Sequence, residues 1–314
     1  MAVEDGAGRP KRFLITRHAA VMHWRASRLH PVLRGLMWSM AAGLLFAILN
    51  TMMRKLAMEL SPFETQFLRY VASLVVMLPL VFRAGFAAYR PKNVMGQFTR
   101  GGVHTIGLVL WFMALPYIGL ADTTAISFTG PIFIMIGASW FFGEKMRWDR
   151  WVASLIGIAG VVIVVAPKLG GEGGLYNLVM LASVPVFVAS FLITKALTRY
   201  ERTTVIVVWQ SITISLFSLP LALLAWEWPT AWQWIAFLFC GMLGAGGHFC
   251  LTKSFGVADI SATQSVKFLD LVWASIMGWL VFADIPSQST IVGGVVISAA
   301  TIWIARREAR MSMR

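Results

Sequence analysis

Ten apolar stretches follow one another through this sequence, at 33–57, 62–83, 96–117, 122–142, 149–166, 174–196, 203–225, 230–253, 258–282 and 287–305. Each is close to the ~20 residues that cross a bilayer as a helix. In hydrocarbon every backbone N–H and C=O must be satisfied within the protein, so a chain of this kind folds as a bundle of transmembrane helices. The connections are short. The longest, 84–95, holds Arg90, Pro91, Lys92 and Asn93. Composition agrees: 58% of the 314 residues are apolar and 13% are charged, against roughly 25% charged in a soluble domain. The expectation is an all-α polytopic membrane protein of ten transmembrane helices.

A formal net charge of +13 suggests nucleic acid until its placement is considered. With a cytoplasmic N-terminus, 22 of the 27 Lys and Arg residues face the cytoplasm. They are the seven from Arg9 to Arg34, then Arg83, Arg90, Lys92 and Arg100, then Lys145, Arg147 and Arg150. Lys195, Arg199, Arg202, Lys253 and the C-terminal Arg306, Arg307, Arg310 and Arg314 complete the set. Arg54, Lys55 and Lys168 fall outside, and Arg69 and Lys267 fall within spans. This is the cytoplasmic Lys/Arg bias of membrane proteins. Removing one span would put several basic loops on the wrong side. The implied protein sits in a bacterial-type inner membrane with both termini cytoplasmic, partnered by lipid and not by nucleic acid. The tail 1–32 is basic. Its part from Lys11 to Arg28 mixes Arg with Phe13, Leu14, Ile15, Val21, Met22 and Trp24, and reads as a solvated tail or as an amphipathic helix on the membrane surface. No cleavable signal peptide is expected, because the first apolar run is long enough to span. Cys240 and Cys250 share one apolar segment. As helix they stand ~15 Å apart, too far for a disulfide.

The sequence also repeats itself. Gly119-Leu-Ala-Asp122 recurs as Gly256-Val-Ala-Asp259, and Phe142-Gly-Glu144 as Phe282-Ala-Asp284. Gly157 corresponds to Gly294, Lys55-Leu56 to Lys195-Ala196, and Leu78-Pro79-Leu80 to Leu219-Pro220-Leu221. Each half then holds five helices, at 33–168 and 174–306, between the tail 1–32 and a basic C-terminus 307–314. Five is odd, so the second half enters the membrane inverted. Such a 5+5 inverted-topology repeat is a recurring construction of secondary transporters.

The segment 115–167 resembles the EamA domain of the drug/metabolite transporter superfamily. The resemblance rests on Ala-Leu-Pro-Tyr-Ile-Gly-Leu-Ala-Asp (114–122), Phe-Thr-Gly-Pro-Ile-Phe (128–133), Phe-Gly-Glu (142–144) and the glycines from Gly157. Gln66-Phe-Leu-Arg69 with Leu78-Pro-Leu fits the second helix of that domain, and the C-terminal half resembles a second copy. The second copy departs at Ala283-Asp284, where the first has Gly143-Glu144. The resemblance covers nearly everything after the tail and implies a ten-helix carrier with a central cavity. It leaves the solute open among amino acids and their derivatives, S-adenosylmethionine, vitamins such as riboflavin, and drug-like exports.

Charges within spans mark the candidate site, since each costs at least ~2.5–3.5 kcal/mol on insertion scales. Lys267 and Asp270 lie halfway along the ninth span, three residues apart and so on one face with Gln264. The alternative reading is a neutralised pair that only holds helices together. With the 137-residue spacing of Asp122 and Asp259 they align with Gly130 and Phe133, next to Pro131. That proline frees the carbonyl of Ser127 four residues back. Arg69, two turns into the second span, has a stem long enough to snorkel to the outer interface. Trp111 and His248 occupy equivalent positions in the third and eighth spans and are either packing residues or groups that stack on a planar solute. Phe128, Thr129, Gln210 and Trp273 are further cavity candidates. Asp122 and Asp259 read as helix N-caps. Gly157, Gly160, Gly293, Gly294 and Ser298 read as helix contacts.

No GxxxxGK[ST] loop occurs, the Gly244–Gly247 cluster lies inside an apolar segment, and the five histidines form no HExxH. No catalytic, metal or cofactor site is expected. The leading function is transport of a small polar or amphipathic metabolite by alternating access, with a zwitterionic or planar polar solute favoured. The alternatives are an intramembrane enzyme acting on a lipid-linked substrate and a non-transporting scaffold. A homodimer is neither required nor excluded. Reporter fusions test the topology: those after Arg90 and Arg199 should report cytoplasm, and those after Gly119 and Gly171 the outside. An external signal at Arg90 or Arg199 breaks the ten-span arrangement.

Overall fold

The computed structural model describes residues 31–143, 148–168, 174–263, 266–267, 269–285 and 287–312. The regular elements among them are helical. In chain order they are α1 (Pro31–Glu59), α2 (Pro62–Ala84), α3 (Val94–Ala114), α4 (Leu120–Ser127), α5 (Gly130–Phe142) and α6 (Trp148–Val165). There follow α7 (Gly174–Leu197), α8 (Thr203–Leu223), α9 (Ala231–Val257), α10 (Ile260–Thr263), α11 (Leu269–Phe282) and α12 (Gln288–Ser312). The tail considered above lies outside the described residues. α1, α2, α3 with its following 3-10 turn, α7, α8 and α9 are six helices long and apolar enough to cross a membrane.

Local chemistry sets the ends. Pro62 starts α2, where its missing N–H costs nothing. The Asn93 side chain accepts from the Gly96 N–H ahead of α3. Thr230 and Gln233 form a reciprocal capping box on α9. One expectation fails here: Asp122 does not cap its helix. Gly119 holds the cap position and Asp122 lies in the first turn of α4, where a carboxylate still faces the positive helix end. Asp259 does directly precede α10.

The apolar stretches 122–142 and 258–282, each expected as one continuous helix, are both broken. Phe128 and Thr129 turn between α4 and α5, their N–H groups donating to Ala125 and Ile126. Pro131 follows at the start of α5, a position that tolerates proline because its N–H would have no helical partner there. Between α10 and α11, Lys267 lies in a turn and its carbonyl accepts from Asp270 N–H at 2.9 Å. The boundaries also change the register between the halves. Asp122 and Asp259 are 137 positions apart, but Phe142 and Phe282, which end α5 and α11, are 140 apart. By the second spacing Asp270 pairs with Gly130; by the first, which Gly157 and Gly294 share, it pairs with Phe133.

The helices pack across the halves. α1 lies along α9 and α7 along α3, while α2 lies against α8 and α6 against α12. α2 also meets α9 and α3 meets α8, and α1 meets α11 as α7 meets α5. Small residues permit these approaches. A Cβ on Gly241 of α9 would fall 2.6 Å from the Ala72 carbonyl carbon of α2. Gly157, Gly160 and Gly293 are buried, and α6 packs on α12. Polarity is distributed as lipid requires. Leu80, Phe82, Ile235 and Leu280 point outward uncovered, while Glu64, Gln66, Arg100 and Thr213 are buried.

The turns that end α5 and α11 share one backbone conformation. Gly143 has φ 64° and donates to Ser139 O; Ala283 has φ 53° and donates to Trp279 O. Glycine adopts the left-handed region freely, whereas a side chain costs roughly 1–2 kcal/mol there. Ala283→Gly should therefore stabilise the solubilised protein by up to about 1 kcal/mol, read as a raised melting temperature. Gly143→Ala should lower it comparably.

Candidate functional site

The two breaks face a cavity of about 220 Å³ between the halves. Its wall includes Lys267, Asp270, Arg69, Trp111, His248, Gly130 and Phe128. These come from α2, α3, α5, α9, α11 and the turns beside α5 and α11, and seven of the nine expected residues meet there. Pro131 follows Gly130, but its side chain lies outside what is described. Gln264 lies outside the described residues.

Lys267 Nζ stands 3.6 Å from Asp270 Oδ2, with the two side chains 19% and 23% exposed. Asp270 occupies the first turn of α11, so the helix end favours its negative charge. α1 comes close because Gly43 has no side chain: a Cβ there would sit 2.0 Å from Asp270 Oδ1. The ammonium of Lys267 lies 5.9 Å from the Phe46 ring centre.

Arg69 does not snorkel. It is 6% exposed, and its guanidinium turns inward onto the Tyr70 ring, 4.6 Å from the centroid. Nη1 donates to the Tyr70 hydroxyl at 3.3 Å, and Nη2 lies 3.4 Å from His248 Nε2. Its Nε has no hydrogen-bond partner. Gly244 of α9 packs against Arg69, where a Cβ would fall in ordinary contact, 3.6 Å from Nε.

From His248 a polar chain runs away from the cavity. The Gln210 amide lies 3.3 Å from the His248 ring nitrogens, and Gln210 Oε1 accepts from Arg100 Nη2 at 2.7 Å. Arg100 also donates to Thr194 Oγ1 and to the Ile206 carbonyl. His104 Nδ1 pairs with Ser190 Oγ at 2.9 Å. Arg100, counted above among the cytoplasmic charges, is thus 2% exposed inside the bundle. Its signal was present: Arg100, His104, Leu108 and Trp111 fall on one face of α3, and the last three line the cavity. Gln210 takes part through the chain, and Thr129 and Trp273 are not on the wall.

Aromatic rings complete the wall. Phe46 meets His248 edge-on at 5.0 Å, and Phe187 meets His104 at 5.1 Å. Phe187 and Phe191 lie near-parallel. Such faces suit a flat ring. An ion pair stands beyond the cavity wall. Asn50 and Ala274 line the wall, and one helical turn beyond each stand Arg54 and Gly278. Arg54 Nη1 donates to Asp284 Oδ2, and the Asp284 N–H donates to the Gly278 carbonyl. The Arg54 guanidinium also lies 4.4 Å over the Phe282 ring.

The family description "EamA-like transporter family" matches the chain twice, over residues 33–166 and 174–306. A riboflavin transporter of Rhizobium johnstonii is 32% identical over 88% of this chain and 92% of its own. An S-adenosylmethionine uptake transporter of Rickettsia prowazekii is 29% identical over 89% of this chain and 95% of its own. One crystal structure, at 17% identity, superposes with a TM-score of 0.69 over 87% of this chain and 98% of that one, and so shares the fold.

The polar chain makes a prediction. Gln210→Leu removes the acceptor of Arg100 and the amide beside His248. It should destabilise the solubilised protein by about 1–3 kcal/mol, the cost of leaving buried polar groups unpaired, seen as a lowered melting temperature.

Proposed function

The chain belongs to the EamA-like transporter family, and on that footing we propose that it carries a small, planar, polar metabolite across the inner membrane by alternating access. The observation that carries this reading is the cavity: mixed charge and aromatic faces enclosed between two halves, at the breaks of two helices. Irregular backbone at membrane depth is tolerated where it lines a cavity, and discontinuous helices at corresponding places in two halves point to a transporter's binding site.

The reading includes ten spans in two inverted halves, with α4 and α5 together making the fourth and α10 and α11 together the ninth. The packing supports it. Exchanging the first five spans for the second five turns the main helix pairs into one another or into themselves: α1 with α9 becomes α7 with α3, α2 with α9 becomes α8 with α3, and α2 with α8 is unchanged. Arg54 over Phe282 has a counterpart in Arg199 over Phe142, at 5.0 Å. Inversion puts these contacts at opposite ends of the cavity, where alternating access needs its two closures. Both termini are then cytoplasmic, and the Arg54–Asp284 pair is the outer closure.

Lys267 and Asp270 are assigned to solute binding with Arg69, His248, Trp111, Phe128 and the Gly130-Pro131 turn. Riboflavin and S-adenosylmethionine, named for the relatives, both carry flat heterocycles that suit the aromatic wall. Flux assays with these two solutes and purified protein in liposomes test the reading. Transport of at least one is expected, with Lys267→Ala and Asp270→Ala reducing it at least about tenfold, the loss of one charge-assisted contact. Arg54→Ala should raise labelling of Asn50→Cys from the outer side. No flux of either solute, with both cavity variants behaving normally in cells, defeats the proposal.

A further inference from the structure

The charges around the cavity do not balance. Three formally charged side chains line it: Lys267, Asp270 and Arg69. Lys267 and Asp270 neutralise each other at 3.6 Å. Arg69 remains, and its contacts are the neutral Tyr70 and His248 at 3.3 and 3.4 Å, long for charge-assisted bonds. Behind it Arg100 is held by Thr194, Ile206 and Gln210, again neutral groups. Among the described residues neither guanidinium forms an ion pair with a carboxylate. Gln210 and His248 link the two arginines, so the second cation adds to the field of the first. The result is a buried wall with a guanidinium that is 6% exposed and whose Nε has no partner.

Burying a cation without a counter-charge is unfavourable. Here two are kept in one network at the edge of a cavity. We propose that the missing counter-charge is supplied by the solute: it bears an oxyanion, a carboxylate or phosphate, that docks on Arg69 beside His248. This rests on the transporter reading above and narrows its substrate class. The flat part of the solute lies toward Phe46, which meets His248, and Phe187, which meets the neighbouring His104. Phe46 touches both ends of the site, 5.0 Å from the His248 ring and 5.9 Å from Lys267 Nζ. Selectivity then follows from the acid group: an aromatic acid binds, its neutral amide binds less well, and an amine that lacks an acid group is repelled. A guanidinium presents a planar fork to such an oxyanion, which lysine cannot reproduce.

Thermal shift of the purified full-length protein tests this with small probes of matched shape. Benzoate, nicotinate and indole-3-acetate are compared with benzamide, nicotinamide and indole-3-acetamide, and with benzylamine as the cation. The carboxylates should raise the melting temperature, with apparent affinity at least about tenfold above their amides, the ratio for one charge-assisted hydrogen bond. Benzylamine should have no effect. Arg69→Gln should abolish the carboxylate shift while its own melting temperature stays at or above that of the unmodified protein, because an unpaired buried charge has gone. Arg69→Lys should keep part of the shift. Carboxylates no better than amides, or a shift that survives Arg69→Gln, overturns the proposal. So does an Arg69→Gln variant destabilised as much as Gln210→Leu, which makes Arg69 a structural member of the chain. Absence of flux in liposomes with the carboxylate shifts intact overturns the transporter reading alone.

Discussion

Backbone satisfaction in hydrocarbon governs this fold. A helix that stops inside a membrane exposes N–H and C=O groups that lipid cannot serve. Two helical segments stop here, after Ser127 and after Thr263, and the gaps they leave abut one space. The break after Ser127 is eased by tight i to i−3 bonds at Phe128 and Thr129 and by Pro131, which has no N–H to satisfy. The second brings in Lys267, with Asp270 at the new helix start. Every other feature of the cavity is arranged around these two interruptions. Gly43 clears space for the Asp270 carboxylate.

The polar chain from Thr194 through Arg100, Gln210 and His248 to Arg69 solves a related problem. Side chains that bond across helices fix the relative rotation of α2, α3, α7, α8 and α9. In lipid such bonds contribute modestly, about 0.6 kcal/mol on average. Their larger effect is to hold the cavity-facing groups in one arrangement. A half-satisfied network is costly, which is why the unmatched charge at its cavity end is informative while the well-bonded Arg100 end is not.

Much of this was legible in the sequence because bilayers impose simple rules. Length and apolarity located the segments, and the charges within spans picked out Lys267, Asp270 and Arg69. What escaped was directional. Arg69 sits two turns into its span, where a stem that long reaches either the interface or the interior; only the neighbours Tyr70 and His248, brought by the fold, decide. Arg100 lies near a span end, so its charge was read as part of the cytoplasmic face, although its spacing to His104 and Trp111 carried the cavity stripe.

Under the proposed alternating access, the two halves would differ at their closures. In the proposed cycle the outer closure is an ion pair, Arg54 with Asp284, reinforced by Phe282. Its partners are unequal in cover, with side chains 11% and 38% exposed. Partly solvated pairs of this kind are generally weak, with exposed ones near 0–1 kcal/mol. A weak closure suits a carrier: states separated by a few kcal/mol can be exchanged by a solute that binds one better than the other. A solute anion drawn to Arg69 would shift the field felt by Arg54 on α1 and by Asp284 just past the end of α11. Binding and opening would then be coupled through the same two elements that carry Gly43, Asn50 and Asp270, without a separate relay between site and gate.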